Sequence, residues 1–200
     1  MTAKTFVQIV ADIVAKLPGV WSIKSDEDRH STLTREDGLA LYIVTDWRDN
    51  ARAEVRPSVP RAEGGYSSLR DWGCIRYDEK GPEMSFAVTR DPARVAKEIE
   101  RKVLEPYAPM YQKILATIAD RDTRRNNAAA LAQSLGRLLH VSTTAQEAAL
   151  RAGRDAVIEG RAEFPGRFRI CAYRAAVKYE ADLSDDHARA LAAFILTLEI

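Results

Sequence analysis

Hydrophobic and polar residues alternate along the chain with two different periods, and the change of period predicts the order of helices and strands. Near the N-terminus, apolar residues recur at helical spacing from Phe6 to Leu17, and Pro18 and Gly19 end that pattern. The next seventy residues favour strands. The short alternating segments are residues 20–24, 39–45, 53–59, 74–77 and 84–89. We therefore expect an N-terminal helix followed by a largely antiparallel sheet.

The central part of the chain has helical periodicity. Asp91 is a good N-cap for a first helix, and because Pro106 disfavours helical geometry at the preceding residue, we expect that helix to end or kink there. A second helical pattern starts at Tyr107, and the polar residues near 120–127 predict a break that makes it an antiparallel pair. Tyr107 and Tyr111 continue the apolar stripe of this second pattern, so we expect them to be packing residues.

The last third of the chain combines a short helix with a strand-helix element. A helical pattern covers residues 142–153, alternation predicts one or two strands within residues 167–184, and Ser184 is the N-cap of a final helix. We therefore predict an α+β fold with an N-terminal helix, a largely antiparallel sheet, a helical middle and a C-terminal strand-helix element. We expect a strand-rich α+β part, residues 1–105, and a second part, residues 106–200, that contains the helical middle and the terminal strand-helix element. The two parts are also compatible with one continuous domain.

Composition and hydropathy indicate a soluble chain. Hydrophobic residues make up 46% and charged residues 30%, which is ordinary for a globular protein. The longest nearly apolar run, residues 190–198, is too short to span a bilayer. Lys4, Gln8 and Asp12 interrupt the apolar residues near the N-terminus, which is typical of an amphipathic helix rather than a signal peptide. We expect a cytoplasmic protein with no membrane partner.

No arrangement of residues in the sequence is typical of an enzyme active site. His30, His140 and His187 lie in different segments, and the chain contains no HExxH motif, no nucleophile elbow and no phosphate-binding glycine loop. The acidic segment 25–30 is interpreted as a solvated hairpin loop rather than a cation site, because it lacks a pattern of fixed ligands. We therefore expect no catalysis, no metal and no cofactor.

A metal-dependent enzyme remains a third interpretation. Asp46 followed by Glu54 and Arg56 is similar to the Asp and Glu-x-Lys strand pair of metal-dependent nucleases. Arginine stands here in place of lysine, and a guanidinium is not deprotonated near neutral pH to assist a water molecule. This substitution argues against nuclease chemistry.

The positive charge of the chain is concentrated in one segment. The net charge is +1, but residues 101–178 contain 14 Lys and Arg residues against 7 Asp and Glu residues. Arginine binds phosphate oxygens with two donors at once, and Phe164, Phe168 and Tyr173 lie among the arginines, as on single-strand-binding surfaces. This pattern predicts nucleic-acid binding. The candidate residues are Arg121, Arg124, Arg125, Arg137, Arg151, Arg154, Arg161, Arg167, Arg169 and Arg174.

A second interpretation treats the same arginines as an ordinary solvated surface whose charges pair with carboxylates. In that case the chain is a protein-binding accessory or an inhibitor of a host system, with a host or phage protein as its partner. One contiguous arginine surface would favour nucleic acid, whereas scattered, paired arginines would favour a protein partner.

Residues 86–114 resemble a known pattern. They contain a strand ending in VTRDP, the helical sequence AKEIERKVL and a Pro-Tyr pair. This is similar to uncharacterised proteins of bacteriophages and other mobile elements, in which a strand leads into Ile-Ala-x-x-Ile-x-Arg-Arg followed by Pro-Tyr. Val95 and Lys102 stand where Ile and Arg are usual. The resemblance implies a phage or mobile-element context and no mechanism.

Overall fold

A computed structural model describes most of the chain as an α+β fold, as the sequence predicts. The chain divides into two compact units, Met1–Ala116 and Thr117–Ile200. Within the described part, no helix has the length and apolar character needed to cross a bilayer. The described residues are 5–26, 29–46, 49, 51–61, 68–139, 141–159, 167–172 and 176–180.

The first unit contains a five-stranded antiparallel sheet whose strands neighbour one another in chain order. β2 is a strand that the alternation did not predict, and the predicted strand at residues 74–77 is wrong, because the chain forms turns there. The elements are α1 (Phe6–Val14), β1 (Trp21–Asp26), β2 (His30–Arg35), β3 (Ala40–Thr45), β4 (Arg52–Ser58), β5 (Met84–Ala87), α2 (Pro92–Ile99), a π-helical turn (Glu100–Leu104) and the start of α3 (Glu105–Leu139).

The core of the first unit follows from strand and helix periodicity. Alternate residues of β2 to β5 are buried, which leaves the other face of the sheet polar. The helices bury one stripe each, α1 contacts α2, and the π-helical turn contacts β4. Buried residues of the strands include Leu33, Leu41, Ile43, Val55 and Phe86, and those of the helices include Val10, Ile13, Val95 and Ile99.

Pro106 neither ends the helix nor separates two helices. The chain is helical from Pro92 to Leu139, with the π-helical turn immediately before the proline. The backbone N–H of Glu105 donates to the carbonyl of Glu100, five residues back. This wider turn fits the site, because Pro106 has no N–H to donate to Lys102 and its ring would collide with that carbonyl in a regular α-helix.

The predicted break at residues 120–127 is also wrong, because α3 is continuous through this segment. The polar residues form bonds along the helix instead of interrupting it. Asp120 and Arg124 form an ion pair at 2.9 Å across one turn, and the Thr123 hydroxyl donates to the carbonyl of Ala119 at 2.8 Å. The absence of an apolar stripe in this segment therefore marks an exposed helical surface, not a turn.

The second unit contains a three-stranded antiparallel sheet, β6-β7-β8, packed on helices. Two strands form within the predicted region 167–184, and β6 is a strand that the sequence did not predict. The predicted final helix from Ser184 lies outside the described residues. Its elements are the rest of α3, α4 (Thr144–Arg151), β6 (Ala156–Glu159), β7 (Arg167–Cys171) and β8 (Ala176–Glu180). One buried apolar cluster joins them: Ala128, Ala129, Ala132, Leu135, Leu150, Ala156, Ile158, Phe168, Ile170 and Ala172.

A close approach at Gly136 gives the first prediction. A Cβ atom there would lie 2.5 Å from Cγ2 of Thr143 and 3.0 Å from the carbonyl oxygen of Val141. Alanine would gain about 1 kcal/mol of helix propensity, but the overpacking costs about 1 to 3 kcal/mol. We expect Gly136→Ala to lower the free energy of unfolding by about 1 kcal/mol in urea titrations. The neighbouring exposed change Ser134→Ala should be neutral or slightly stabilising, and a stabilised Gly136→Ala would contradict the close contact.

Candidate functional site

The predicted arginines divide into those that the structure describes and those that it does not. Arg161 and Arg174 lie outside the described residues, as do the side chains of Phe164 and Tyr173. The other eight arginines lie on α3, α4, the segment that precedes β6, and β7. They are Arg121, Arg124, Arg125, Arg137, Arg151, Arg154, Arg167 and Arg169.

At least four of these eight arginines form ion pairs with nearby carboxylates. Three pairs join residues three or four apart on a helix, and one joins two adjacent strands. In three of these pairs the arginine is exposed; such pairs contribute little to stability, but they reduce the charge that a ligand meets. The pairs and their N–O distances are Arg124–Asp120 (2.9 Å), Arg125–Asp122 (3.8 Å), Arg151–Glu147 (3.4 Å) and Arg167–Glu159 (3.0 Å).

Arg125 lies in the interior of the second unit rather than on its surface. Its side chain is only 11% exposed. A Cβ atom on Gly153, whose φ is +74°, would lie 2.6 Å from Nη2 of Arg125, so the guanidinium rests directly on the backbone of that turn. The predicted break at residues 120–127 would place Arg124 and Arg125 in a solvated turn, but both lie within α3. Arg124 is exposed on that helix, and Arg125 has a packing role.

The exposed face of the three-stranded sheet brings two cations together. Arg169 on the central strand β7 is paired in register with Val157 on β6 and with Lys178 on β8, and all three side chains are exposed. Adjacent strands are about 4.8 Å apart, so the two charged side chains project from neighbouring positions. Arg167 lies on the same face, two residues before Arg169, and is paired with Glu159.

The aromatic residue between these arginines belongs to the core. Phe168 is 6% exposed and packs in the apolar cluster of the second unit, because alternate residues of β7 point to opposite faces of the sheet. Its ring is not available to stack on a nucleic-acid base. Any contact with nucleic acid on this face would rest on the cations Arg167, Arg169 and Lys178.

The first unit contains a cleft that the sequence did not indicate. It has a volume of about 620 Å³ and lies between the polar face of the sheet near β3 and β4 and the loop 68–83. Its charged lining consists of four cations and one carboxylate, and the remaining lining includes Tyr42 and several apolar side chains. The charged residues are Arg56, Arg61, Arg70, Lys80 and Glu83, and the apolar ones are Pro57, Val59, Leu69, Ile75 and Pro82.

The loop wall of this cleft is anchored at two points. Trp72 is 7% exposed, and its indole N–H donates to the carbonyl of Pro60 at 3.2 Å. Nζ of Lys113, on α3, donates to the carbonyl of Gly73 at 2.9 Å. These bonds fix the backbone immediately before residues 74–77, which form bends and turns rather than the predicted strand.

The end of β4 is held by the first turn of α3. The fully buried Tyr107 donates its hydroxyl to the carbonyl of Ser58 at 3.2 Å, and Ser58 lines the cleft. Burial raises the pKa of Tyr107 well above its ordinary value, so the phenol stays protonated and serves as a hydrogen-bond donor. Tyr111, 4% exposed, packs beside it with ring centroids 5.8 Å apart. The prediction that both tyrosines are packing residues agrees with this geometry.

The residues that were considered for metal chemistry do not assemble into a site within the described chain. In segment 25–30 the structure describes two ionisable side chains, those of Arg29 and His30. The ring centroid of His30 lies 5.6 Å from that of Tyr42. Arg56, paired with Tyr42 in register on β4, lies 5.1 Å from the centroid of the same ring. Among the described residues, no three His, Cys, Asp or Glu side chains gather closely enough to hold a metal ion. Cys74 and Cys171 are both free thiols.

Comparisons with models of protein families, with curated proteins and with solved structures find no match to this chain. The local resemblance of residues 86–114 to mobile-element proteins therefore stays a prediction.

Proposed function

We propose that the chain is a non-catalytic accessory protein of a phage or mobile element that binds nucleic acid through the exposed face of its three-stranded sheet. The observation that supports this proposal is the register of β7 and β8, which sets Arg169 directly beside Lys178. Like charges at directly opposed positions destabilise a sheet. A phosphate group between them would bring a negative charge to both side chains and accept charge-assisted hydrogen bonds from them.

Arg167 extends the same surface. Its side chain is 69% exposed and that of its partner Glu159 is 63% exposed. An ion pair so accessible to water has little net stability, and the guanidinium can therefore exchange the carboxylate for a phosphate oxygen at low cost. The proposed contact surface consists of Arg167, Arg169 and Lys178, with Arg137 and Arg154 as further exposed cations of the same unit.

The double change Arg169→Gln with Lys178→Gln tests this proposal. Because phosphate contacts dominate such binding, affinity should fall with salt by about 0.9 log units per log unit of salt for each duplex contact, or about 0.7 for single strands. In the variant, the slope of log affinity against log salt should become shallower by the equivalent of about one to two phosphate contacts. Fluorescence anisotropy with single- and double-stranded oligonucleotides measures this slope. Both substitutions lie on the exposed face, so the fold should be retained.

Arg151→Gln is the matched control, because Arg151 is an exposed arginine of the same unit that is paired with Glu147 on α4. We expect its salt dependence to equal that of the unmodified protein. An equal loss in both variants would show non-specific charge attraction. No binding at protein concentrations up to about 100 μM, the weak limit for non-specific association, would refute the proposal.

A protein partner is the second candidate function. The specific observation in its favour is that four of the eight described arginines already pair with carboxylates. Such a surface offers fewer charges to a phosphate backbone than the sequence suggested. The anisotropy titration separates the two, because a protein-binding accessory would show no salt-dependent association with oligonucleotides at any length.

A further inference from the structure

We propose that the cleft of the first unit binds a small phosphorylated ligand that carries a planar ring, the chemical class to which nucleotides belong. This site is separate from the sheet face considered above for nucleic acid. Its volume of about 620 Å³ lies within the range of small-molecule sites in proteins.

The charge of the cleft favours an anion with more than one negative charge. Arg56, Arg61, Arg70 and Lys80 line it, against the single carboxylate of Glu83. Guanidinium groups bind phosphate oxygens through two parallel donors, and lysine supplies a more mobile point charge. A diphosphate or triphosphate group matches this excess of positive charge.

Two of the guanidinium groups are held in position before any ligand arrives. Arg56 lies over the Tyr42 ring at 5.1 Å, whereas the Tyr77 ring, 5.4 Å from Arg70, is 90% exposed and does not fix that guanidinium. Arg70 instead donates from Nη2 to the carbonyl of Glu79 at 3.0 Å. Groups that are already ordered lose less conformational freedom on binding, which increases affinity without further contacts.

The remaining lining favours a planar ring. Leu69 is 6% exposed, and its side chain lies close to that of Ile75 at the loop wall, where a Cβ atom on Gly81 would contact both at 3.7 and 3.8 Å. The exposed guanidinium group of Arg56, whose Cζ atom lies 5.1 Å from the Tyr42 ring centroid, can stack with an aromatic ring. An apolar wall beside a stacking surface accommodates a heterocycle next to the phosphate-binding cations.

Isothermal titration with three probes separates these contributions. ADP carries both the ring and the phosphates, pyrophosphate carries only the phosphates, and adenosine carries only the ring. We expect ADP to bind at least about tenfold more tightly than either of the other two at low salt, because both sets of contacts form at once. Equal affinities for ADP and pyrophosphate, or no heat with either at millimolar concentration, would overturn the proposal.

Substitutions then locate the site. Arg56→Gln and Lys80→Gln, made separately, should each weaken ADP binding, with a loss of about tenfold for the pre-positioned Arg56. Arg52→Gln is the matched control, since Arg52 is on the same strand and the same face, four residues earlier, and bonds to Ser85 at 2.8 Å outside the cleft lining. It should bind ADP as the unmodified protein does, and an equal loss there would overturn the assignment.

The same titration distinguishes this site from the sheet face of the second unit. The Arg169→Gln, Lys178→Gln variant should retain full ADP affinity, whereas loss of ADP binding in that variant would place the ligand elsewhere and overturn the proposal. Thermal unfolding of each variant, compared with the unmodified protein, confirms that a lost affinity reflects the cleft and not the fold. Because Arg56 and Lys80 are exposed, two independent variants keep the test decisive if one of them is poorly folded.

Discussion

Replacing Tyr107 with alanine is expected to lower the free energy of unfolding by about 3 to 5 kcal/mol, the range found when a buried aromatic residue is truncated. Tyr107 is fully buried, packs against Tyr111 and bonds to the carbonyl of Ser58 at the end of β4. The change removes the ring, leaves a cavity where α3 meets the sheet and frees the end of β4. Urea titration followed by circular dichroism measures the effect.

Tyr107→Phe is the control that separates the ring from the hydroxyl. It retains the apolar volume and loses one hydrogen bond, which leaves the Ser58 carbonyl with one donor fewer, so we expect a cost of about 1 to 2 kcal/mol. A Tyr107→Ala variant with unchanged stability and lost ADP or oligonucleotide binding would show that this tyrosine is a recognition residue. The predicted order of stability is therefore unmodified protein, then phenylalanine, then alanine.

Gly38→Ala is expected to cost about 2 to 5 kcal/mol, which combines two penalties at one position. Gly38 lies in the turn between β2 and β3 with φ of +84°, a region that costs a residue with a Cβ atom about 1 to 2 kcal/mol. The added Cβ would also lie 2.8 Å from the hydroxyl of Tyr111, whose ring is 4% exposed and tightly packed. Such overpacking costs about 1 to 3 kcal/mol. Thermal and urea unfolding both report it.

A double-mutant cycle with Tyr111→Phe separates the two penalties. Removal of the phenolic oxygen relieves the collision but not the backbone strain, so Gly38→Ala should cost only about 1 to 2 kcal/mol in the Tyr111→Phe background. The two substitutions should therefore be coupled, with the pair less destabilising than the sum of its members. Additive effects would mean that Tyr111 moves aside and that the turn alone determines the cost.

The same turn is held by an ion pair whose carboxylate has a displaced pKa. Arg35 bonds to Asp37 at 2.6 Å, and this hydrogen bond lowers the pKa of Asp37 below its ordinary value. The pair stabilises the turn above the ordinary pKa of an aspartate, and that contribution is lost as the pH falls through the lowered value. Both side chains are partly exposed, so the contribution is small.

Local periodicity was sufficient for the elements that carry their own signal. The apolar stripe from Phe6, the cap at Asp91 and the alternation of β3 and β4 each predict their element within a few residues, because the side-chain pattern records which face is buried. The same reasoning correctly placed Tyr107 and Tyr111 among the packing residues. It failed for β2, where Ser31 is buried at a position that alternation alone treats as polar.

The continuity of the long helix depended on geometry that the sequence does not display. Pro106 is a strong local signal for a helix end, and a π-helical turn, which bonds Glu105 to Glu100, accommodates it. The polar residues from Asp120 to Arg124 are compatible with a turn or with a solvated helical surface. They form a helical surface, on which Asp120 and Arg124 are ion-paired.

The sequence by itself determined the class of fold, the concentration of cations between residues 101 and 178 and the packing role of the tyrosines after Pro106. Only the tertiary structure decided which cations meet. Strand register sets Arg169 beside Lys178, local helix geometry pairs Arg124 with a carboxylate, and a loop held by Trp72 assembles the cleft of the first unit. The reason is physical: spacing along a chain specifies which face of one element a residue occupies, whereas proximity between elements depends on pairing and packing that no local pattern contains.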